Sequence, residues 1–198
     1  MARPRAFDEA AVLDRAVDLF WRQGYQATSL SDLETATELN RGSIYAAFGD
    51  KQGLFLRVLD RYYERFGDPS FGGLADAPSP RAAVLTLFEQ MPGSITASGN
   101  PRGCLVANTC AESHEGEIGR KASACLSRME TGFYAALRRM QALEELSPQA
   151  DARRLARFLT GVVQGMAIIS RVTDDTDFLR DIGTTALTAV FGSDKSDP

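Results

Sequence analysis

Apolar residues recur at intervals of three and four along most of this chain, and that spacing predicts α-helices. The pattern predicts a first helix over residues 7–23, with Asp8 as its N-cap and Gly24 as a left-handed C-cap. No alternating β-branched run is bounded by hairpin turns, so we expect an all-α fold.

Polar residues that suit N-caps mark the next three helices. Ser29 opens a capping box with Asp32, Asn40 precedes the third helix, and Asp50 precedes a fourth that should end near residue 66. A very short turn joins the second and third helices, so we expect residues 1–66 to form a helix-turn-helix domain.

Glycine and proline interrupt the pattern over residues 67–80, which predicts a linker. Pro148, after Ser147, predicts the start of a later helix, because proline suits the first helical turn. We expect a helical C-terminal domain over residues 81–192, about nine helices in all, and a polar tail over 193–198. Its helices are predicted near 80–97, 103–113, 115–143, 148–171 and 175–191.

The third predicted helix, within the stretch LNRGSIYAAFGDK at 39–51, has an outward face with the chemistry of a DNA-reading surface. Ile44 and Phe48 are four residues apart and should pack inward together. The small residues Gly42 and Ser43 allow a close approach to the major groove, where an α-helix fits and bases are read.

The remaining outward residues suit contacts with bases and phosphates. Arg41 can bind a guanine edge or a phosphate, Tyr45 can donate to a phosphate, and Ala46 can meet a thymine methyl group. Lys51 lies at the start of the fourth helix, where the helix dipole also favours a phosphate. Any one of these residues alone is as well explained by a solvated surface, and only the set indicates DNA binding.

Two flanking segments add candidate phosphate contacts. Thr28 and Ser29 can supply a hydroxyl and a backbone N–H from the start of the second helix. Arg3 and Arg5 precede the first helix and could reach adjacent phosphates or a minor groove.

Composition narrows the kind of DNA binding. The chain has 198 residues, 44% of them hydrophobic, and a net charge of −4, which argues against a sequence-blind coat of nucleic acid. Residues 1–66 contain nine basic and ten acidic side chains, so recognition must depend on where a few groups lie. Three cysteines make no disulfide framework, and neither an apolar signal core nor a bilayer-spanning run is present, so we expect a cytoplasmic protein with no membrane contact.

A series of short motifs covers residues 8–66: Ala16–Phe20, Gly24-Tyr25, Thr28-Ser29-Leu30, Asp32-Leu33, Arg41-Gly42-Ser43-Ile44-Tyr45, Phe48, Asp50-Lys51 and Leu54-Phe55. With these motifs, residues 8–66 resemble the TetR/AcrR-type transcriptional regulators. The resemblance implies a sequence-specific DNA-binding regulator, not an enzyme and without a cofactor: a homodimeric repressor released from its operator by a small-molecule inducer or by thiol modification.

The turn between the second and third helices departs from the family pattern. The family commonly has Ala-Gly-Val-Ser where this chain has Thr37-Glu38-Leu39-Asn40. Glu38 replaces a glycine that adopts positive φ freely, so we expect a less tight turn and a negative charge near the DNA.

The resemblance also implies that the last two helices form a dimeric four-helix bundle. The stretches 152–171 and 178–191 fit that role, because each has an apolar stripe and the first also has the small residues Gly161, Gly165 and Ala167. Ordinary core packing is the alternative. A symmetric dimer sets two recognition helices about one DNA turn (~34 Å) or a small multiple apart, which predicts a palindromic operator.

A sensor cavity is expected between the linker and those two helices. For any single candidate, simple core packing explains the residue as well, and the prediction is that a subset lines a cavity. The candidates are Leu85, Phe88, Met91, Cys104, Leu105, Met129, Phe133, Leu137 and Met166.

Cys104 is the one chemically suggestive residue of this half. A position in the first turn of a helix, with Arg102 nearby, favours a reactive thiolate. Its Gly-Cys-Leu context resembles a subset of TetR-like regulators, some of which sense electrophiles or oxidants. The alternative is a small cysteine that packs like alanine.

Three other functions remain open. Cys110 and His114 have a ligand-like spacing, with Glu112 and Glu115 near, but a chain with one histidine offers no four-ligand metal set. A thiol enzyme using Cys104 or Cys110, with His114 as the base, lacks an oxyanion loop and an orienting third group. A DNA-bending protein without a sensor would have a closed second domain with no cavity.

Overall fold

The computed structural model describes residues 7–96, 103–112 and 115–192, and these ranges form an all-α fold. Arg3, Arg5, Arg102, His114 and the tail 193–198 lie outside the described residues. The predicted fold class is confirmed, and the described ranges contain nine α-helices and no strand: α1 Glu9–Gln23, α2 Leu30–Thr37, α3 Arg41–Phe48, α4 Lys51–Tyr62, α5 Pro80–Thr96, α6 Leu105–Glu112, α7 Gly116–Ala142, α8 Ala152–Ile169 and α9 Thr176–Phe191.

The N-caps of the first four helices are the residues that the sequence predicts. Asp8 accepts hydrogen bonds from the N–H groups of Ala10 and Ala11, and Ser29 and Asp32 form a reciprocal capping box. Asn40 accepts from Ser43 N–H at 2.9 Å, and Asp50 accepts from Gly53 N–H at 2.7 Å. These bonds satisfy backbone donors that a helix leaves open at its start.

Two boundaries differ from the sequence prediction. The helix predicted from residue 148 begins instead at Ala152, where Asp151 accepts from two backbone N–H groups. Pro148 lies in the preceding loop, because the Gln141 side-chain amide holds that loop through the carbonyls of Ser147 and Ala150. The region 67–80 begins in helix, since a π-helical segment at Tyr63–Gly72 continues α4 without a break.

Buried side chains form two clusters, and α6 belongs to the first. That cluster joins α1–α4 with Leu105 and Val106 of α6 and with Ile118 and Cys125 of α7. The second cluster joins the π-helical segment with α5, α7, α8 and α9. Burial of each large apolar side chain contributes about 1.5–3 kcal/mol, so α6 is firmly attached to the N-terminal half.

Polar cross-links fasten α4 and the π-helical segment to α7. The Gln52 amide donates to Glu117 at 3.0 Å, and Asp60 forms an ion pair with Lys121, about one turn further along α7. Arg128 donates to Asp68 at 2.6 Å. These three pairs link α7 to α4 and to the π-helical segment.

None of the helices in the described ranges is both long and apolar enough to cross a membrane.

Candidate nucleic-acid interface

The exposed face of α3 is not required by the protein core. Ile44 is fully buried and Phe48 nearly so, as their spacing predicts. Arg41, Gly42, Tyr45 and Ala46 are exposed, and Ser43 is half-buried. The helix thus presents a face whose chemistry the fold does not use.

Gly42 shows this most clearly. A Cβ at this position would meet only the Asn40 Oδ1 atom, at an ordinary contact distance of 3.4 Å. Glycine inside a helix costs about 0.5–1 kcal/mol relative to alanine, and no neighbour in the described part of the chain requires it here. By contrast, a Cβ at Gly53 would lie 2.0 Å from the Phe48 carbonyl oxygen, so that glycine is needed for folding.

Arg41 and Tyr45 form a pair on this face. The Arg41 Nη2 atom donates to the Tyr45 hydroxyl at 3.3 Å, and the guanidinium carbon lies 5.5 Å from the ring centroid. The Tyr45 hydroxyl, by accepting this bond, raises the pKa of Arg41, so the guanidinium stays charged. The Arg41 backbone N–H donates to the Glu34 carboxylate at 2.6 Å, which ties the start of α3 to α2.

Lys51 is more enclosed than the sequence suggests. It is half-buried, with its ammonium 4.5 Å from the centroid of the Tyr25 ring. Desolvation by burial lowers the pKa of Lys51, while Glu112 and Asp32 oppose that shift. The side chain is held at the edge of the α3 face and does not extend freely from it.

Thr28 and Ser29 differ in what they can offer. Thr28 is 1% exposed, and its hydroxyl donates to the Gly24 carbonyl at 2.7 Å, so that hydroxyl is used inside the turn. Ser29 is exposed and its hydroxyl bonds Asp32 at 2.6 Å within the capping box.

The turn between α2 and α3 keeps the left-handed geometry that a glycine would adopt. Glu38 has φ 60° and ψ 21° at the C-cap of α2, and its side chain is exposed. A non-glycine residue in this conformation is strained by about 1–2 kcal/mol. The backbone of Glu38 therefore keeps the geometry of a tight turn, and the expected looser turn is not observed. That its charge lies near the DNA stays a prediction.

A cavity of about 500 Å³ lies between the N-terminal helices α1 and α4 and the C-terminal helices α5, α7 and α8. Of the nine cavity candidates, Met91, Cys104 and Met129 line the cavity. The other six are not among the residues lining it: Leu85 is half-buried, and five are buried in the core, namely Phe88, Leu105, Phe133, Leu137 and Met166.

Sequence reasoning missed the aromatic wall of this cavity. Trp21 of α1, Tyr62 at the end of α4, and Tyr63, Phe66 and Phe71 of the π-helical segment all line it. The only local signal is that Trp21 follows the buried Phe20 but falls off the apolar stripe of α1. The cavity is therefore shared between the two halves of the chain.

Cys104 lies in the cavity wall immediately before α6, where its carbonyl accepts from Asn108 N–H at 2.9 Å. The Tyr62 hydroxyl donates to the Cys104 Sγ atom at 3.5 Å. Burial, followed by the neighbouring Cys104, raises the pKa of Tyr62, so the phenol keeps its proton.

Burial disfavours the thiolate form of Cys110 and Cys125. Burial raises the pKa of Cys110, and it raises the pKa of Cys125 to about 11. Within the described ranges, no group of three or more His, Cys, Asp or Glu side chains could hold a metal ion. His114, the histidine of the metal and thiol-enzyme alternatives, lies outside those ranges.

Both ends of α6 are bonded to α1 and the turn that follows it. The Trp21 indole N–H donates to the Gly103 carbonyl, just before α6, at 3.1 Å. At the other end, the Glu112 carboxylate accepts from the backbone N–H groups of Tyr25 at 2.9 Å and Gln26 at 3.3 Å. Glu112, considered above beside a metal site, instead holds the turn that leads into α2.

Comparison with known proteins agrees with this architecture. Residues 12–58 match the family described as "Bacterial regulatory proteins, tetR family", and residues 80–186 match the "Tetracyclin repressor-like, C-terminal domain". The HTH-type transcriptional repressor ComR of Escherichia coli (strain K12) is 36% identical over 188 residues, covering 93% of this chain and 90% of ComR. The HTH-type transcriptional regulator YezE of Bacillus subtilis (strain 168) is 30% identical, covering 91% of this chain and 95% of YezE.

Solved structures give the same result. A cysteine mutant of the TetR family transcriptional regulator CifR, complexed with 26-bp double-strand operator DNA, superposes with a TM-score of 0.83 at 33% identity, covering 94% of this chain and 99% of that one. The relatives are transcriptional regulators and not enzymes. With both of its halves matched, the chain belongs to the TetR family of DNA-binding transcriptional regulators.

Proposed function

We propose that this regulator is a homodimeric repressor that binds a palindromic operator through α3 and is released by a small molecule, or by modification of Cys104. The observation that carries the proposal is the exposed face of α3, where Arg41, Gly42 and Tyr45 have no role in the core. ComR is a repressor and CifR was solved on duplex operator DNA, and both likenesses extend over nearly the whole chain. Operator DNA is also the reason for placing the protein in the cytoplasm.

Each residue of the interface has a separate role in this proposal. Arg41 binds a guanine edge or a phosphate, Ala46 meets a thymine methyl group, and Gly42 and Ser43 allow the close approach. Tyr45 positions Arg41 and donates to a phosphate.

The edge of the interface positions the DNA backbone. Lys51 supplies a charge at the start of α4. Ser29 is exposed at this edge, but its backbone N–H and its hydroxyl both bind Asp32, so it contacts a phosphate only by exchanging one of those bonds. The role of Thr28 is narrower than its hydroxyl suggests, because that hydroxyl braces the Gly24 carbonyl.

Dimerisation through α8 and α9 is supported by apolar surface that the single chain leaves open. Phe158 and Ile168 on α8 are 45% and 48% exposed, and Phe178 on α9 is 50% exposed. Among the described residues, a Cβ at Gly161 or Gly165 would meet nothing within 4 Å, so packing within that part of the chain does not explain these glycines. Large apolar side chains beside small residues suit the close approach of a second helix pair.

Release follows from the way α6 joins the cavity to α1. A ligand that binds better to a conformation with wrongly spaced recognition helices shifts the population away from the operator. The contacts available to carry this change are Trp21 with Gly103 and Glu112 with the Tyr25 turn. Modification of Cys104 is a second way to alter the same wall, because the thiol lies in the cavity next to Tyr62.

Operator binding is tested by fluorescence anisotropy with duplex DNA from the region flanking the gene. The double variant Arg41→Ala, Tyr45→Ala should bind about 10- to 100-fold more weakly, since a specific base contact contributes about 1–3 kcal/mol. Arg138→Ala is the matched control, because it removes an exposed arginine from α7. Full affinity in the double variant contradicts the assignment of α3.

Repression and release need two further measurements. A reporter joined to the flanking DNA should increase in activity when the gene is deleted; a decrease means activation. A gel shift compares wild type and Cys104→Ser after treatment with N-ethylmaleimide, with reductant alone as the control. If modification of the Cys104 thiol triggers release, N-ethylmaleimide should release wild type from the operator and should not release Cys104→Ser. Retention of the wild-type complex after stoichiometric modification of Cys104 excludes the thiol route.

A further inference from the structure

We infer that the cavity binds an uncharged, largely apolar molecule that touches the DNA-binding domain directly through Trp21. This inference rests on the proposed inducer role of the cavity and names the chemical class of its ligand. It is carried by three features of the cavity wall, which are its charge, the placement of its polar groups and its aromatic side.

Charge is absent from the described part of the cavity wall. The lining side chains there are aromatic, aliphatic, sulfur-containing or neutral polar, and no Asp, Glu, Lys or Arg is among them. Burial is the main cause that raises the pKa of Tyr62 and raises that of Tyr63 to about 12, so neither phenol supplies a negative charge at neutral pH.

Two of the arginines next to this wall are already engaged, and a third, Arg171, lies against Gly103 but does not line the cavity. Arg128 lies 4.2 Å from the centroid of the Tyr63 ring but binds Asp68, and it does not line the cavity. Arg65 lies over the Phe66 ring and binds Asp14. A charged ligand would therefore lose its hydration without gaining a partner from these groups, which is strongly unfavourable.

Polar side chains are few in this wall. Gln90 and Ser94 are exposed, four residues apart on α5, and Ser70 of the π-helical segment is half-buried. The Ser94 hydroxyl donates to the Gln90 carbonyl at 3.0 Å and can only accept from a ligand, whereas the Gln90 amide and the Ser70 hydroxyl can bind a hydroxyl or carbonyl group. The volume of about 500 Å³ lies in the range of small-molecule sites, which are mostly apolar with a few polar groups.

The aromatic side of the cavity is formed by α1, the end of α4 and the π-helical segment. The Trp21 ring packs edge-on against Tyr62 and Phe66, with centroids 5.1 Å and 5.2 Å away. The same indole donates to the Gly103 carbonyl at 3.1 Å. A ligand against this ring therefore contacts the DNA-binding domain itself and the bond that joins it to α6.

Trp21 also makes the inference directly measurable, because it is the only tryptophan in the chain. We would titrate the full-length protein with three probes of one skeleton: neutral phenylbutanol, anionic phenylbutyrate and cationic phenylbutylamine. Phenylbutanol should change the Trp21 emission and bind at least about tenfold more tightly than either ion. Equal or tighter binding of an ion overturns the ligand class.

Variants at the exposed rim keep the test independent of folding. Ser94→Glu should favour phenylbutylamine and Ser94→Lys should favour phenylbutyrate, each by about tenfold relative to wild type, because the rim then pairs the charge. Ser123→Glu, on an exposed part of α7 away from the cavity, is the matched control. If the control changes selectivity as much as Ser94→Glu, the probes bind elsewhere and the inference fails.

Operator anisotropy in the same samples separates this inference from the proposed function. Operator binding without any response of Trp21 to phenylbutanol overturns the ligand class and leaves the repressor proposal intact. Selective phenylbutanol binding that leaves the operator complex unchanged supports the ligand class and overturns the cavity as the inducer site.

Discussion

Gly42 and Glu38 are two residues whose identity conflicts with local stability. Gly42 weakens α3 where a Cβ would fit, and Glu38 adopts a left-handed backbone that glycine adopts without strain. Residues that cost stability without a reason inside the fold are expected at functional surfaces. Both lie on or next to the α3 face.

Gly42→Ala should separate stability from recognition. We expect the free energy of unfolding to rise by about 0.5 kcal/mol, because alanine is the better helix former and has room. Operator affinity should fall at the same time, since the added methyl group keeps the helix from the groove. Urea unfolding and operator anisotropy measure the two effects, and an unchanged affinity means that DNA does not approach this residue.

Two substitutions at Glu38 distinguish charge from conformation. Glu38→Gly should raise the free energy of unfolding by about 0.5–1 kcal/mol, because the strain disappears and the entropy cost of glycine is smaller. Glu38→Gln keeps the strain and removes the charge, so it should leave stability unchanged and tighten operator binding at low salt. The turn assignment is wrong if Glu38→Gly destabilises the protein.

At the level of the helices, the sequence predicted features that depend on neighbouring residues better than features that depend on contacts between distant helices. Caps such as Asp8 and Asn40 depend on neighbours two or three residues away, so the sequence alone identifies them. The cavity wall depends on which helices pack together, and the sequence alone does not show this. Phe133, predicted to line the cavity, is buried in the core, whereas Trp21 lines the cavity. Glycine and proline near residue 67 predicted a break, but packing continues the helix.

The α6 contacts predict a coupling residue that is remote from α3. Glu112→Gln weakens the charge-assisted bonds to Tyr25 and Gln26 N–H, so the turn leading into α2 should loosen. Operator affinity should fall severalfold, and amide hydrogen exchange should rise at those two residues. Glu89→Gln, an exposed change on α5, is the control. Unaltered exchange at Tyr25 means that Glu112 does not hold the turn.

Helices α1 and α4 are joined by an ion pair that predicts acid sensitivity. The hydrogen bond from Arg61 is the largest cause that lowers the pKa of Asp14 from 3.8, with Arg65 adding to it and burial opposing it. Because the folded value is depressed, this stabilisation is present above the unfolded pKa and is lost as pH falls through the folded pKa.

Asp14→Asn removes that dependence. Unfolding by urea, followed from neutral pH down to about pH 3, should show a smaller loss of stability in Asp14→Asn than in wild type. Asp76→Asn, an exposed aspartate in the turn after the π-helical segment, should behave like wild type. Identical acid profiles for Asp14→Asn and wild type would contradict the role of the pair.

For the whole molecule, the proposed dimer is supported by the exposed apolar side chains Phe158 of α8 and Phe178 of α9. Phe158→Glu with Phe178→Glu should give a monomer in sedimentation velocity, because two charges then lie on each apolar face. Operator affinity should fall with it, since one half-site remains per protein. Leu143→Glu changes a residue 47% exposed at the end of α7 and should stay dimeric. A dimeric double variant places the interface elsewhere.

Base readout by α3 is the central claim, and a cycle between protein and operator tests it most directly. Anisotropy would compare wild type and Arg41→Ala on the operator and on variants with each guanine of the half-site replaced. One replacement should weaken wild type at least about tenfold and leave Arg41→Ala nearly unaffected, because the lost contact is the same one. If every replacement weakens both proteins equally, Arg41 does not read a base and another surface recognises the operator.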